Sequence, residues 1–244
     1  MESQMEFLIA GDKCVQIRLG NIISPEINTR VRKYFLGIKS IGIKGIIECV
    51  PTYSSLSVYY DPLIVSYNDL LVQLKFVGKH LRDINIPQPY VVEIPTCYDT
   101  EFGIDLNYLS QYLNLSIEEI VRIHSGGEYL IYMLGFAPGF CFLGEISDRI
   151  TAPRLVKPRI VVPAGSVGIV GNQTGIYSIE SPGGWQLIGR TPVDLYNPFR
   201  KRTPIFLKSG DYIRFVPVTR VEFDLIQNDI MQNKYTIRKY LKRA

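Results

Sequence analysis

Several things are scarce in this chain of 244 residues. It has two histidines, His80 and His124, and four cysteines, Cys14, Cys49, Cys97 and Cys141, with no C-x-x-C pair among them. A structural zinc site needs clustered thiolate and imidazole ligands, so no metal is expected and the cysteines read as reduced residues of the core. No run approaches the roughly twenty apolar residues that span a bilayer. The opening "MESQMEFLIAGDK" is acidic, with too short an apolar run for a secretory leader. The expectation is a cytoplasmic chain with no membrane role, in which the sequons at Asn114 and Asn172 are incidental. Nucleotide motifs are missing as well. "GIKSIGIKG" comes nearest to a P-loop, but Ile43 stands where lysine is required. "GSVGIVG" has the wrong spacing for a dinucleotide fingerprint, and there is no G-x-S-x-G elbow. If the protein takes part in ATP chemistry, a partner is expected to supply the nucleotide loop.

What is present is ordinary globular material, 46% hydrophobic and 20% charged, enough to bury a sizeable core. The net charge of +4 is spread along the chain, so nucleic acid is not an expected partner. The densest basic run, "NKYTIRKYLKRA", reads as a solvated helix face or a frayed end.

The first third alternates strand and helix patterns. "FLIAG" and "KCVQIRLG" read as strands. "SPEINTRVRKYFLGIKSI" opens with Ser24 as N-cap and Pro25 at the first helical position, and Ile27, Val31, Tyr34, Phe35 and Ile38 follow at helical spacing. "GIIECVPTYSSLSVYYDP" reads as two strands around a turn. "SYNDLLVQLKFVGKHL" is a second helix with Leu70, Leu71, Leu74 and Val77 on one face. The order β-α-β-β-α gives a small sheet with helices on one side. A proline-rich junction, "NIPQPYVVEIP", divides the chain into an N-terminal domain, 1–88, and a second domain, 89–244. Two short helices follow, "DLNYLSQYLN" and "SIEEIVRIHSG", the second with the capping-box spacing Ser116 to Glu119. Beyond Glu128, "YLIYMLGF", "RIVVPAGSVGIVG", "IYSIE", "WQLIG" and "DYIRFVPV" are short strands broken by turns, the pattern of a barrel or sandwich. "TRVEFDLIQNDIMQNKY" returns to a helical period.

Four stretches of the second half could carry chemistry. In "HSGGEY", His124 ends a helix, either to complement its dipole or as an imidazole presented at the barrel mouth for proton transfer. In "GFAPGF", Gly135, Pro138 and Gly139 form a tight turn. It either packs Phe136 and Phe140 or turns backbone N–H groups towards an anion. "APRLVKPRIVVPAGSVGI" holds two Pro-Arg pairs. Arg154 and Arg159 are surface arginines or stiffened carboxylate clamps, and Ser166 adds a hydroxyl beside Gly165. Last, "GNQTGIYSIESPGGWQLIGRTP" gathers Gln173, Thr174, Tyr177, Trp185, Arg190 and Thr191 around Gly183 and Gly184. Either these form a pocket rim, or Trp185 plugs the barrel and Arg190 pairs with an acid.

Taken in order, "HSGGEYLIYMLGFAPGFCFLG", "APRLVKPRIVVPAGSVGIVGNQTGIYSIESPGGWQLIGRTP" and "GDYIRFVPV" resemble the KipI family, also called the B component of 5-oxoprolinase, or allophanate hydrolase subunit 1. The resemblance covers the whole chain and is most specific from His124 to Pro192. It implies an α+β protein, with a small α/β N-terminal domain followed by a cyclophilin-like β-barrel. It implies a companion of the KipA type (the C component of 5-oxoprolinase) and one of the LamB/YcsF type (the A component). Together they would hydrolyse 5-oxo-L-proline to L-glutamate at the expense of ATP, the chain being inactive alone. A substrate with one carboxylate and one amide calls for an arginine clamp and neutral hydrogen-bonding partners. Arg154, Arg159 and Arg190 are candidates for the first, Ser166, Gln173, Tyr177 and Thr191 for the second, and His124 for acid or base. The resemblance also leaves open an inhibitor of a sporulation histidine kinase, and a urea-related hydrolase or biotin-dependent carboxyltransferase component.

Overall fold

The structure, a computed structural model, describes residues 5–200 and 203–243. The chain divides into two compact units, Met1–Gln88 and Pro89–Ala244.

The first unit begins with a hairpin, β1 (Glu6–Ile9) and β2 (Cys14–Arg18), and continues through α1 (Pro25–Ile41), β3 (Ile46–Pro51), β4 (Ser55–Tyr60) and α2 (Tyr67–Lys79). The order is therefore β-β-α-β-β-α, one strand more than the pattern above, because the first two strands pair with each other. The sheet order is β1-β2-β4-β3, antiparallel throughout. Helix α1 starts where Ser24 Oγ accepts from the Ile27 amide at 3.2 Å and Pro25 pre-sets the first turn. It stops at Gly42, whose φ of 66° suits a residue without a side chain. Val31, Tyr34 and Ile38 of α1 and Leu70, Leu74 and Val77 of α2 pack on Val15, Ile17, Leu56 and Val58. Phe35 stays partly exposed at the edge of this core. The buried Tyr34 hydroxyl donates to the Leu74 carbonyl at 2.7 Å, so its polar tip is satisfied within the core.

The second unit runs β5 (Tyr90–Cys97), α3 (Leu106–Leu113), α4 (Ile117–Ser125), β6 (Glu128–Leu134), β7 (Cys141–Gly144), β8 (Arg159–Val162), β9 (Ser166–Val170), β10 (Gln173–Ile176), β11 (Ser181–Gly183), β12 (Gln186–Arg190), β13 (Tyr212–Val218), α5 (Arg220–Met231) and β14 (Lys239–Leu241). Seven strands close into a mixed barrel, β12-β9-β10-β7-β6-β13-β5, sealed where Arg190 of β12 faces Cys97 of β5. β5 and β13 are parallel and the other neighbours antiparallel. Ile94, Ile131, Leu143, Val167, Ile169, Ile176, Ile188, Ile213 and Phe215 belong to its core. The capping box of α4 is made: Ser116 Oγ accepts from the Glu119 amide, and Glu119 Oε2 accepts from the Ser116 amide.

Outside the barrel sheet, β8 and β11 pair into a two-stranded ribbon. Two readings change here. "IYSIE" is not a strand: only Ile176 lies in β10, and the next residues bend away to feed the ribbon. The basic tail is neither a helix face nor wholly frayed, because Lys239–Leu241 pairs with Tyr90–Val92 of β5. Among the described residues no helix is long and apolar enough to cross a membrane.

Candidate functional site

The candidate residues separate into three sets. The first is interior. His124 ends α4 with no solvent exposure, packed among Tyr98, Tyr129 and Phe215. It is therefore not at a barrel mouth. Its proton arrangement follows from its neighbours. Thr174 Oγ1 donates to the Gly168 carbonyl at 3.0 Å, so towards His124 Nε2, 2.9 Å away, it accepts. Nε2 then carries the hydrogen, and Nδ1 accepts from the Tyr98 hydroxyl at 2.7 Å. The Tyr129 hydroxyl donates to the His124 carbonyl at 2.6 Å. Burial pushes the imidazole down to about 3 and raises the Tyr98 phenol, so the chain of bonds is neutral at physiological pH. Every hydrogen-bonding position of the imidazole is filled.

The second set lies on the outer wall beneath the ribbon. Along β10, Thr174 bonds inward to His124 and Ile176 joins the main core, so Gly175 between them faces out. The Trp185 ring rests there; a side-chain carbon on Gly175 would come within 2.9 Å of Trp185 Cζ3. Trp185 is thus no barrel plug. It belongs to a separate apolar cluster with Phe140, Val162, Tyr177 and Leu187, and its ring meets those of Phe140 and Tyr177 edge-on. Gly183 and Gly184 let the ribbon descend onto Tyr177 and Arg154. The "GFAPGF" turn joins this cluster through Phe140, and the Ser178 hydroxyl donates to the Pro138 carbonyl at 2.6 Å. The turn spends the Gly135, Ala137 and Phe140 amides on its own closure.

The two clamp candidates of this set differ. Arg159 is engaged: Nη2 donates to Asp105 Oδ1 at 2.6 Å and Nη1 to the Trp185 carbonyl at 3.2 Å. Asp105 Oδ2 accepts from the Leu187 amide at 2.6 Å, and the Asp105 amide returns a bond to the Leu187 carbonyl at 3.1 Å. Arg154 is exposed and has no acid partner among the described residues. Burial raises the Tyr177 phenol, offset by a hydrogen bond from the Trp185 backbone and by the nearby charges of Arg154 and Arg159.

The third set sits at the barrel seam. Arg190 faces Ser166 of β9 and Cys97 of β5. Its Nε donates to the Ala164 carbonyl at 2.8 Å, and its guanidinium lies 5.8 Å from the centre of the Phe102 ring, which Arg220 approaches at 5.0 Å. Burial and the like charge of Arg220 push Arg190 below the usual arginine range. Arg190 forms no ion pair among the described residues, whereas Arg220 bonds Glu101 and Asp224. Gly165, at φ 81°, has no room for a side chain against the Thr191 carbonyl. Thr191 Oγ1 accepts from the Val193 amide at 3.2 Å, capping a turn. The second and third sets adjoin through Tyr177, whose carbonyl accepts from the Gly165 amide and whose amide donates to the Ser166 carbonyl. Gln173, half-exposed opposite Gly144 and Val170 at the start of β10, joins neither set.

Sequence reasoning missed Asp105 and Phe102. Asp105 stands ahead of α3 as an ordinary N-cap residue, and its partners lie 54 and 82 positions later, so no local signal marks it. Nor is there a phosphate cradle in the two glycine-rich stretches. "GIKSIGIKG" is the end and cap of α1, and "GSVGIVG" is strand β9 with its flanking turns. Among the described residues no three His, Cys, Asp or Glu gather as a metal site would require. All four cysteines are free, and burial pushes the Cys141 thiol up to about 12, leaving it unreactive.

Residues 5–207 match the family model described as carboxyltransferase domain, subdomain C and D. The B component of 5-oxoprolinase from Bacillus subtilis (strain 168) is 43% identical over 87% of this chain and 92% of its own length. That of Escherichia coli O157:H7 is 47% identical over 76% of this chain and 84% of its own. Among solved structures, that of TTHA0988 superposes with a TM-score of 0.76 at 37% identity over 84% of this chain. The match occupies 40% of that longer polypeptide.

Proposed function

This chain belongs to the family of 5-oxoprolinase B components, built on subdomains C and D of a carboxyltransferase domain, and from that premise we propose that it is one part of a multi-subunit, ATP-dependent enzyme that opens 5-oxo-L-proline to L-glutamate. The observation that carries this reading is 43% identity extending over nearly the full length of both chains. The companions in this reading are of the KipA type and the LamB/YcsF type. ATP is bound by a companion, since neither glycine-rich stretch of this chain forms a phosphate cradle. ATP would supply the activation that a poorly electrophilic lactam carbonyl needs.

The chain's own residues would bind and orient the substrate. Arg154 takes the substrate carboxylate, because it is the ribbon arginine whose charge is unanswered. Arg159, fixed by Asp105, holds the ribbon at the right height above β12. Tyr177, buried against Gly183 with its hydroxyl protonated, forms with Trp185 the apolar floor beneath the ribbon that excludes water. Ser166 and Arg190 line the adjoining seam. His124 acts at one remove, holding β9 and β10 in place through Thr174, and is a positioning residue rather than an acid or base.

The test is 5-oxoproline-dependent ATP hydrolysis with glutamate release, assayed for the chain alone and with both companions. Turnover confined to the full mixture supports the reading. Absence of turnover in an assembled mixture overturns it. The carboxyltransferase match favours one second reading, carboxyl transfer, and a response of the assembled complex to biotin or urea would move the assignment there.

A further inference from the structure

The ribbon carries a surface that a solitary protein does not leave open. β8 pairs with β11 along one edge, and among the described residues no strand lies along its other edge. Ile160 and Val161, consecutive in this short strand, are 83% and 53% exposed, and Val156 just before it is fully exposed. Phe136 extends the apolar surface of the cluster beneath. It is 68% exposed, stacks edge-on to Phe140, and is held at φ 65°, a strained conformation for a residue with a side chain. An open strand edge with apolar side chains invites another strand, and natural proteins cover or charge such edges.

The local charge selects the occupant. From Ala152 to Pro163 the chain holds Arg154, Lys157 and Arg159 and no acidic residue. Asp105 answers Arg159, which leaves two cations beside the open edge with no acid partner among the described residues. One relative of known structure, TTHA0988, adds a second argument. There the equivalent of this chain is 40% of one polypeptide, so the rest of that polypeptide accompanies it covalently. Where the two parts are separate chains, a surface must hold them together.

We propose that the free edge of β8, with Val156, Ile160 and Val161, receives an extended segment of the companion protein whose apolar residues are flanked by acidic ones. The companion is the chain homologous to the remainder of TTHA0988. Backbone pairing to β8 gives affinity, the exposed apolar side chains give the buried centre, and Lys157 fixes register and sign while Arg154 stays with the substrate. This rests on the reading of the chain as one part of a larger enzyme, and it places the substrate groups beneath the ribbon beside the intersubunit surface.

Binding of the companion to the full chain, titrated by calorimetry, tests it with Ile160→Glu and Val156→Glu. Leu63→Glu, at a fully exposed site in the first unit, is the control. Because all three positions are exposed, the thermal midpoint should not move. The expected result is affinity weakened about thirtyfold for Ile160→Glu and less for Val156→Glu, with the control unchanged and wild-type binding weakened by salt. Wild-type binding with both ribbon variants within twofold of it would overturn the surface but leave the multi-subunit reading intact. No binding by the wild type at micromolar concentrations would overturn the multi-subunit reading and this surface with it. A wild-type homodimer dispersed by Ile160→Glu, seen in sedimentation, would assign the edge to a second copy of this chain and so overturn the proposal.

Discussion

The two faces of the barrel wall carry polar groups under opposite rules. Inside, Tyr98, His124, Thr174 and the Gly168 carbonyl form a directed chain in which each donor has an acceptor. Outside, the Asp105–Arg159 pair is complete, yet Arg154 and Lys157 beside it have no acid partner among the described residues. Residue type does not tell the two apart, because histidine and arginine are equally suggestive in a sequence. The filled or unfilled hydrogen-bonding capacity of each group does. A saturated buried network specifies the fold, and an open exposed one is available to a ligand.

The comparison breaks most visibly at His124. Replacing it with alanine strands the Tyr98 hydroxyl, removes the donor to Thr174 Oγ1 and leaves a cavity, a loss on the order of 3–5 kcal/mol in urea unfolding of the full chain. A variant of native stability with a dead complex would instead make His124 a reacting group. Protonation probes the same site. The folded imidazole titrates near 3 and the unfolded one near 6.5, so below 6.5 the unfolded state takes up the extra proton. Stability therefore falls as pH drops from 6.5 towards 3, by up to about 1.4 kcal/mol per pH unit, and is unaffected by this group above 6.5. Subtracting the curve of His124→Gln from that of the wild type isolates the slope.

On the outer wall the largest expected effect belongs to Asp105→Ala, which leaves a half-buried guanidinium without its carboxylate and the Leu187 amide without an acceptor. A loss of about 3 kcal/mol is expected, together with lower turnover of the complex. Asp105→Asn keeps an acceptor for Leu187 and should cost about half as much. Gly175→Ala sets a methyl group against the Trp185 ring and the Cys141 carbonyl. It should cost about 1–3 kcal/mol and alter the near-ultraviolet dichroism of the single tryptophan. The smallest effect on folding is at Arg154. Arg154→Ala should stay within about 0.5 kcal/mol of the wild type yet raise the KM for 5-oxoproline about tenfold in the assembled enzyme. A large stability loss there would put Arg154 in the scaffold with Arg159 and erase the contrast.

Much of the frame was legible because its signals are local. Ser24-Pro25, the stripe of Val31, Tyr34 and Ile38, and the Ser116–Glu119 box each lie within a few residues, where capping and periodicity act. The site was legible as a set of residues but not as an arrangement. Alternation along β10 sends Thr174 inward and Gly175 outward, and this is what parts His124 from Trp185 although both stood in suggestive motifs. Asp105 could not be singled out, since its role depends on Arg159 and Leu187 meeting it only after closure. The tail misled because its charge resembles a solvated helix, whereas the free edge of β5 recruits Lys239–Leu241 as a strand.

The seal of the barrel also sets an order of events during synthesis. β5, the first strand of its unit to be made, has as strand neighbours among the described residues β12, β13 and β14, which leave the ribosome last. The first unit, with its own core and local pairings, can be complete while β5 still waits without a partner. Nascent chains arrested before residue 212 should accordingly protect the first unit from protease and leave the second open to it. In a cell that interval is when the apolar strands of the second unit most need shielding by the ribosome surface or a chaperone.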